Sequence, residues 1–322
     1  MHVHPEIAAL RTDRGPQRQA QRAMQLACEA WRAEPGAAEM MRELEAFGAG
    51  SPLEDCPQLE AVFSGSDEAE RLCGLLSRHF CAAISANPYG QPPFRNGFDG
   101  FAASMLLARS GRAQLLLQSR EPASFEHEAY LFNDMVRYDA VVGGRARGRI
   151  IRITQAGEQR GQFASEPITL EPGCRLAFDL ATEMLAVERV DQRLVTLRLV
   201  RMRANPGPSR EYDAGSGELV QQCAGSLATS RQEAIIALLG RMDRTDAAPV
   251  VAQVALDEGD VSLRWQALRE CIALDSREGF RALGEVARRA GDPLAAAAGA
   301  LRAQLVETYP ELLQIEAEQC PA

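Results

Sequence analysis

Six arginines crowd one short stretch of this sequence: Arg137, Arg145, Arg147, Arg149, Arg152 and Arg160, with only Asp139 and Glu158 among them. Guanidinium forks bind carboxylate and phosphate through paired N–H donors, so the cluster is a candidate site for a small anionic ligand. Arg145, Arg147 and Arg149 recur at every second position, which on a strand places all three on one face. The competing reading is a solvated outer face in a protein whose only cation is arginine, because the chain contains no lysine. That absence excludes Schiff-base chemistry, the phosphate loop ending in Gly-Lys-Ser/Thr and the Ser-x-x-Lys pair of penicillin-recognising enzymes.

His127 lies between Glu126 and Glu128, donor types that suit a divalent ion. A mononuclear site needs about three protein ligands, and an arginine nearby would repel the ion. The alternative is an ordinary surface or core histidine. Cys73, His79 and Cys81 share one helical segment, but helical residues six apart are rotated by roughly 240° and point to different sides. A core histidine fits His79 better than a ligand. His2 and His4 sit near the start of the chain without visible partners. No Ser-His-Asp set can be assembled from these histidines, and Gly143-Gly144 leads into a strand where a dinucleotide loop must open a helix. No catalytic residue is assigned.

Composition narrows the classes further. A net charge of −9 argues against general nucleic-acid affinity, which asks for clustered cations. The eight cysteines form no C-x-x-C pair or framework spacing and read as reduced thiols. The first residues lack the apolar core of a signal peptide, and no segment approaches the roughly 18 uncharged apolar residues of a membrane span. A cytoplasmic protein with no membrane contact is expected.

Elements that could position these residues follow from periodicity. From Arg112 to Arg203 apolar residues alternate with polar ones: Ala113, Leu115 and Leu117 with Arg112, Gln114 and Gln118, and Val136, Tyr138, Ala140 and Val142 with Arg137 and Asp139. One apolar face and one wet face mark half-buried strands. Strands are predicted at 101–108, 112–119, 135–142, 147–154, 168–170, 175–179, 184–190 and 194–202. Gly143-Gly144 is expected as a two-residue hairpin and Pro172-Gly173 as a type II turn. Before the strands lie helices over about 16–33 and 36–47, and a third opening at Ser66, with Leu72, Leu75, Leu76, Phe80, Ala83 and Ile84 on one face.

Beyond Ser226 the period becomes helical and a repeat emerges. Val254-Ala255 with Gly259-Asp260 recurs as Val286-Ala287 with Gly291-Asp292, and Arg231-x-x-Ala234 recurs as Arg264-x-x-Ala267. Asp260 and Asp292 can cap helix N-termini, and the alanines let helices approach closely. The expected architecture is α+β: a helical preface (1–98) packing on an antiparallel β-barrel or jelly roll (99–204), a linker (205–226) and a helical repeat stack (227–318).

The strand, the loop with His127, the glycine pair, the Leu170-Glu171-Pro172-Gly173 turn and the two final strands resemble the cupin family of metal-holding β-barrels. Where cupins carry a second histidine this chain has Ala129, and where they carry glutamate it has a position near Arg137. The C-terminal segment resembles the HEAT family of helix-pair repeats, through Asp260, Arg264 and Ala267. That resemblance implies a protein partner; the alternative is a short stack that only braces the barrel. Three functions follow: a non-catalytic binding or scaffold protein with a metal-free cupin-like barrel; a metal-dependent oxygenase or isomerase using His127 with Glu126 or Glu128; or a sensor of a small anion through the arginine-rich hairpin. No cofactor is expected under the first and third, and a divalent metal under the second.

Overall fold

The computed structural model describes residues 13–314 except positions 66 and 158. His2, His4, Cys320 and the expected cap at Ser66 lie outside the described residues. The chain divides into two compact units, one running to Ala204 and taking in Arg210–Gln221, the other comprising Asn205–Ser209 and the chain from Gln222.

The first unit opens with helices α1 (Gly15–Arg32), α2 (Ala37–Ala49), α3 (Pro57–Phe63) and α4 (Glu68–Ala86). Each buries one stripe: Ala20, Met24, Ala27, Cys28 and Trp31 on α1, and Ala69, Leu72, Leu76 and Phe80 on α4, at three- and four-residue spacing. These stripes share one core with strand residues Leu107, Ala113, Leu115, Ala140, Leu197 and Leu199. The contact is close enough to exclude side chains. A Cβ on Gly48 of α2 would lie 2.1 Å from the Ser110 carbonyl oxygen. Arg201 donates to the Phe47 and Ser51 carbonyls and Arg112 to that of Ala49, so cations sit at the negative end of α2.

The strands are β1 (Arg95–Phe98), β2 (Ala103–Ser110), β3 (Ala113–Arg120), β4 (Ala123–Ser124), β5 (Ala129–Phe132), β6 (Met135–Ala156), β7 (Gly161–Leu170), β8 (Arg175–Asp179), β9 (Glu183–Met202), β10 (Ser209–Asp213) and β11 (Leu219–Cys223). The main sheet runs β1-β2-β3-β9-β6-β7, with β4 on β9 and β8 on β6. The expected hairpin at Gly143-Gly144 is not there. Segments 135–142 and 147–154 are one strand, β6, and 184–190 and 194–202 are likewise one strand, β9. A type I′ turn needs positive φ at both central residues and a type II′ turn at the first, whereas only Gly144 has it (φ 83°). The glycine instead makes a bulge where β6 and β9 cross: a Cβ there would lie 2.0 Å from the Arg193 carbonyl oxygen. Pro172-Gly173 does turn the chain, with Gly173 at φ 90° and the Cys174 N–H donating to the Glu171 carbonyl.

Strand β6 changes neighbours along its length. The Met135–Val141 half of β6 lies between β8 and the Val195–Met202 half of β9, while its second half lies between β7 and the first half of β9. Segment 205–226, expected as a linker, holds β10 and β11, and β10 pairs with β5 to give the order β11-β10-β5. Only Tyr212, fully buried, marks β10 as structured in the sequence Ser-Arg-Glu-Tyr-Asp. Its pairing partner is too distant in the chain to leave a local pattern.

The second unit contains α5 (Leu227–Arg241), α6 (Ala248–Leu256), α7 (Val261–Leu274), α8 (Ser276–Arg288) and α9 (Ala295–Thr308). Ser226, Asp260 and Asp275 cap α5, α7 and α8 by accepting a backbone N–H. Ile236, Val251, Ala255, Leu268, Leu283 and Val286 lie in its core. Arg264 donates through Nη1 and Nη2 to Asp292 (3.2 and 2.6 Å) and through Nε to the Ala255 carbonyl. Among the described residues no helix is long and apolar enough to cross a membrane.

Candidate functional site

The alternation seen in the sequence assigns the sheet's two faces in an unexpected sense. On β6, Val136, Tyr138 and Ala140 join the core shared with the helices, as do Leu115 and Leu117 on β3 and Leu197 and Leu199 on β9. The apolar face is therefore the one the helices cover. The wet face turns into the protein: Gln118 and Arg120 of β3, Arg137 and Asp139 of β6, and Thr196 and Arg198 of β9 line a small cavity that opens to solvent. Val141, Leu170, Leu176, Leu185, Val187 and Leu194 complete the walls.

Register explains the polar cluster. Arg198 stands directly across from Asp139, and Gln118 across from Thr196. Arg198 donates to both carboxylate oxygens of Asp139, Nε to Oδ1 at 2.7 Å and Nη2 to Oδ2 at 2.9 Å. Two positions along β6 on the same face, Arg137 brings Nε within 3.2 Å of Asp139 Oδ2 and lays its guanidinium over the Phe178 ring, 4.5 Å from the centroid. That approach is too poorly aligned to be a hydrogen bond. Nε and Nη2 of Arg137 are buried donors without a hydrogen-bond partner.

Three guanidinium groups and one carboxylate leave two positive charges in the cavity wall. Burial pulls the Arg137 guanidinium down to about 10, and Arg198 and Arg120 add to it while Asp139 opposes. Burial likewise lowers Arg120, helped by the like charge of Arg198. Burial alone would raise Asp139, but Arg137, Arg198 and Arg120 outweigh it and hold the carboxyl below its ordinary value. Asp139 is therefore an anion at neutral pH, and Arg137, even lowered, remains a cation beside it. A buried donor that nothing satisfies costs about 1–3 kcal/mol, a strain usually relieved by water or ligand.

The other sequence candidates lie elsewhere. Arg145, Arg147 and Arg149 share one exposed face of β6, each with a carboxylate: Glu171 at 3.2 Å, Asp191 at 3.2 Å and Glu188 at 3.1 Å. Arg152 bridges Glu166 and Glu183. His127 bonds through Nε2 to the Val187 carbonyl oxygen at 2.9 Å and stacks on Phe101. Glu126 and Glu128 flank it, and among the described residues no three His, Cys, Asp or Glu side chains are grouped to hold a metal ion. The donors lining the cavity do not suit a divalent cation either, since guanidinium cannot ligate one and repels it. His79 pairs with Glu34 at 2.8 Å, and burial pushes the Cys73 thiol up to about 12.

Sequence reasoning singled out Arg137 and missed Arg120, Arg198 and Asp139. The signal was present: polar residues at alternate positions on β3, β6 and β9, on the face opposite the apolar stripe. Solvent and an internal cavity produce the same alternation, and only the pairing order separates them.

No family model matches this chain, and no curated protein matches it. Among solved structures it is similar to a cupin superfamily protein from Desulfitobacterium hafniense (18% identity, 33% of this chain and 83% of that one, TM-score 0.23). It is similar also to ectoine synthase from P. lautus (14% identity, 33% and 67% covered, TM-score 0.24). A third likeness is the 7S globulin of Momordica charantia (18% identity, 38% and 36% covered, TM-score 0.28), of which the chain spans only about a third. Similarity at this level says nothing of ligand or reaction.

Proposed function

We propose that this is a non-catalytic binding protein whose cupin-like β unit receives a small anion in the Arg120–Arg137–Arg198 cavity. The observation that carries the reading is Arg137: a charged side chain turned into the cavity, with two buried donors unsatisfied and only a share of one carboxylate. An anion there would meet fork-shaped donors in a site of low dielectric, where charge-assisted hydrogen bonds are strongest. The lining offers no thiol, imidazole or free carboxylate to act as nucleophile or base, because Asp139 is held by Arg198 and Arg137. A saturating anion at about a hundredfold excess over Kd would stabilise the folded chain by about 2.7 kcal/mol. Thermal unfolding of the full chain in acetate or phosphate, against chloride at matched ionic strength, tests this. A saturable shift is expected, absent in the Arg120→Gln/Arg137→Gln variant and kept in Arg145→Gln/Arg147→Gln. Equal shifts in both variants would refute the cavity as the site.

A second reading concerns the helical unit. The 32-residue offset between Asp260 and Asp292 and the buried Arg264–Asp292 pair fit HEAT-like helix pairs, and such an array would serve a protein partner. It is supported by the exposed apolar residues Leu227, Ile235 and Leu238 along α5 and Met242 just beyond its end. Loss of a co-purifying partner on Leu238→Glu/Met242→Glu substitution is the expected result, and an unchanged set of partners would dismiss the reading.

A further inference from the structure

The cavity's lining is interleaved. Leu194 stands across from Arg120, Val141 from Thr196 and Leu176 from Asp139, so apolar and polar side chains alternate around the space. No apolar end is set apart for a hydrocarbon tail, and the space suits a compact ligand. Its polar groups differ in what already occupies them. Arg198 holds Asp139 with its fork, whereas the side chains of Arg120, Gln118 and Thr196 make no hydrogen bond or ion pair with any described residue. A second carboxylate acts on them from outside the lining. Asp99 lies in the turn between β1 and β2, where its Oδ1 accepts the Phe101 and Ala102 N–H groups at 2.9 and 2.7 Å. Burial would raise its carboxyl, but those donors and the charge of Arg120 hold it below the ordinary value, so Asp99 is an anion at neutral pH. It forms no ion pair with Arg120, whose guanidinium stays free for a ligand.

We infer that the ligand is a compact oxyanion of a single negative charge, and that Asp99 sets that limit. The inference rests on the anion-site reading above and narrows it to a charge and a size. Three guanidinium groups line the space; Asp139 offsets one of them within it and Asp99 a second from outside, which leaves one positive charge to be met. One negative charge completes that balance. A second would be held near Asp99 and Asp139 with nothing opposite it, in surroundings that screen charge poorly. Oxygen acceptors are favoured because the open groups are directional donors: the guanidinium of Arg120, the amide of Gln118 and the hydroxyl of Thr196. Gln118 and Thr196, directly across from each other, add hydrogen bonds without adding charge.

Titration calorimetry on the full chain with nitrate, formate, bicarbonate, butyrate, chloride and sulfate tests the inference. The three small oxyanions should bind, the tightest of them naming the source of the charge, and sulfate should bind at least about tenfold more weakly. Butyrate and chloride should bind no better than formate. Phosphate separates charge from shape, because it gains a second negative charge as pH rises through neutrality; its affinity relative to nitrate should fall over that interval. In Asp99→Asn, which keeps the Oδ1 acceptor of the turn, the ratio of sulfate to nitrate affinity should rise about tenfold, since loss of a fixed negative charge favours the divalent ion more. Sulfate binding as tightly as nitrate in the parent chain, a phosphate-to-nitrate ratio indifferent to pH, or a sulfate-to-nitrate ratio unmoved by Asp99→Asn would each overturn the inference and leave the anion site standing. So would butyrate or chloride binding more tightly than formate. Failure of every anion to bind would overturn both.

Discussion

Strand β6 carries arginine in two settings only a few residues apart. On its outer face Arg145, Arg147 and Arg149 are exposed and each pairs with a carboxylate, Glu171, Asp191 and Glu188 in turn. On its inner face Arg137 is nearly buried and shares Asp139 with Arg198, while Arg120 stands close by. Exposed pairs are screened by water and contribute little, about 0–1 kcal/mol each. Interior charge is not screened, so an imbalance there is costly and persists only where something offsets it. The contrast teaches that the count of arginines is uninformative and their local charge balance is not: outside, every one of these arginines has a solvated carboxylate beside it, and inside, three guanidinium groups line the cavity with one carboxylate.

Removing the single interior anion should have the largest effect. Asp139→Asn leaves Arg137 and Arg198 without the carboxylate they share and Arg120 with Asp99 alone, and breaking a buried pair from one side costs about 3–5 kcal/mol. Urea unfolding should show that loss, and a saturating anion should recover part of it. A loss under about 1 kcal/mol would put Asp139 in the same class as the outer carboxylates and dissolve the contrast.

The second expected effect has the opposite sign. Burial pulls the Arg137 guanidinium down to about 10, so holding it charged in the folded chain costs stability at neutral pH. Asp139 keeps Arg198 if Arg137 is replaced. Arg137→Met, close in length and apolar, should therefore raise stability by about 1–3 kcal/mol while abolishing the anion-dependent shift. Greater stability with lost binding is the signature of a site kept for a ligand; lost stability would identify Arg137 as a structural partner of Asp139.

Acid should separate the two regions next. The Asp139 carboxyl is held below its ordinary value, so in the folded chain it stays ionised at pH values where the unfolded chain has begun to take up a proton. The stability it brings is complete above the unfolded value of about 3.9 and is lost as pH falls from there through the folded value. Unfolding midpoints measured between pH 6 and pH 2.5 should fall more steeply in the parent chain than in Asp139→Asn. Parallel curves would assign the acid sensitivity to other carboxylates, among them Asp292, which its bonds to Arg264 hold below the ordinary value.

What could be read beforehand follows the same division between local and paired information. Amphipathic helices such as α4 and the Pro172-Gly173 turn are set by neighbours in sequence, and they were legible. The β6 bend was not: Gly143-Gly144 satisfies a hairpin's composition, and what prevents a hairpin is the approach of the Arg193 carbonyl on β9. Likewise β10 left no trace beyond Tyr212, because its pairing partner β5 is remote. At the site, Arg137 was recognisable as an anion-binding type. Grouping it with Arg145, Arg147 and Arg149 assumed that one hairpin carried all four, whereas a bulge at Gly144 sends one inward and three outward. Arg120 and Arg198 joined it only once the strand order β3-β9-β6 was known.

The smallest expected effect is on that outer face, and it is the control on which the comparison turns. Arg147 donates through Nε and Nη2 to Asp191, which Arg189 also reaches at 2.8 Å, and the pair is more than half exposed on the arginine side. Deleting one of two donors to a solvated carboxylate leaves it charged, hydrated and still paired, so nothing is stranded. Arg147→Ala should change stability by less than about 1 kcal/mol. Reversing the charge in Arg147→Glu places a second anion beside Asp191 and should cost somewhat more at low salt, a difference that ought to vanish as ionic strength rises toward about 1 M, where the screening length is about 3 Å. Neither substitution should alter the affinity for an anion in the cavity, because the outer guanidinium lies across the strand from it in water. If Arg147→Glu weakened anion binding at high salt as strongly as Arg137→Gln, the outer arginines would belong to the site, and inner and outer faces of β6 could no longer be treated as chemically separate.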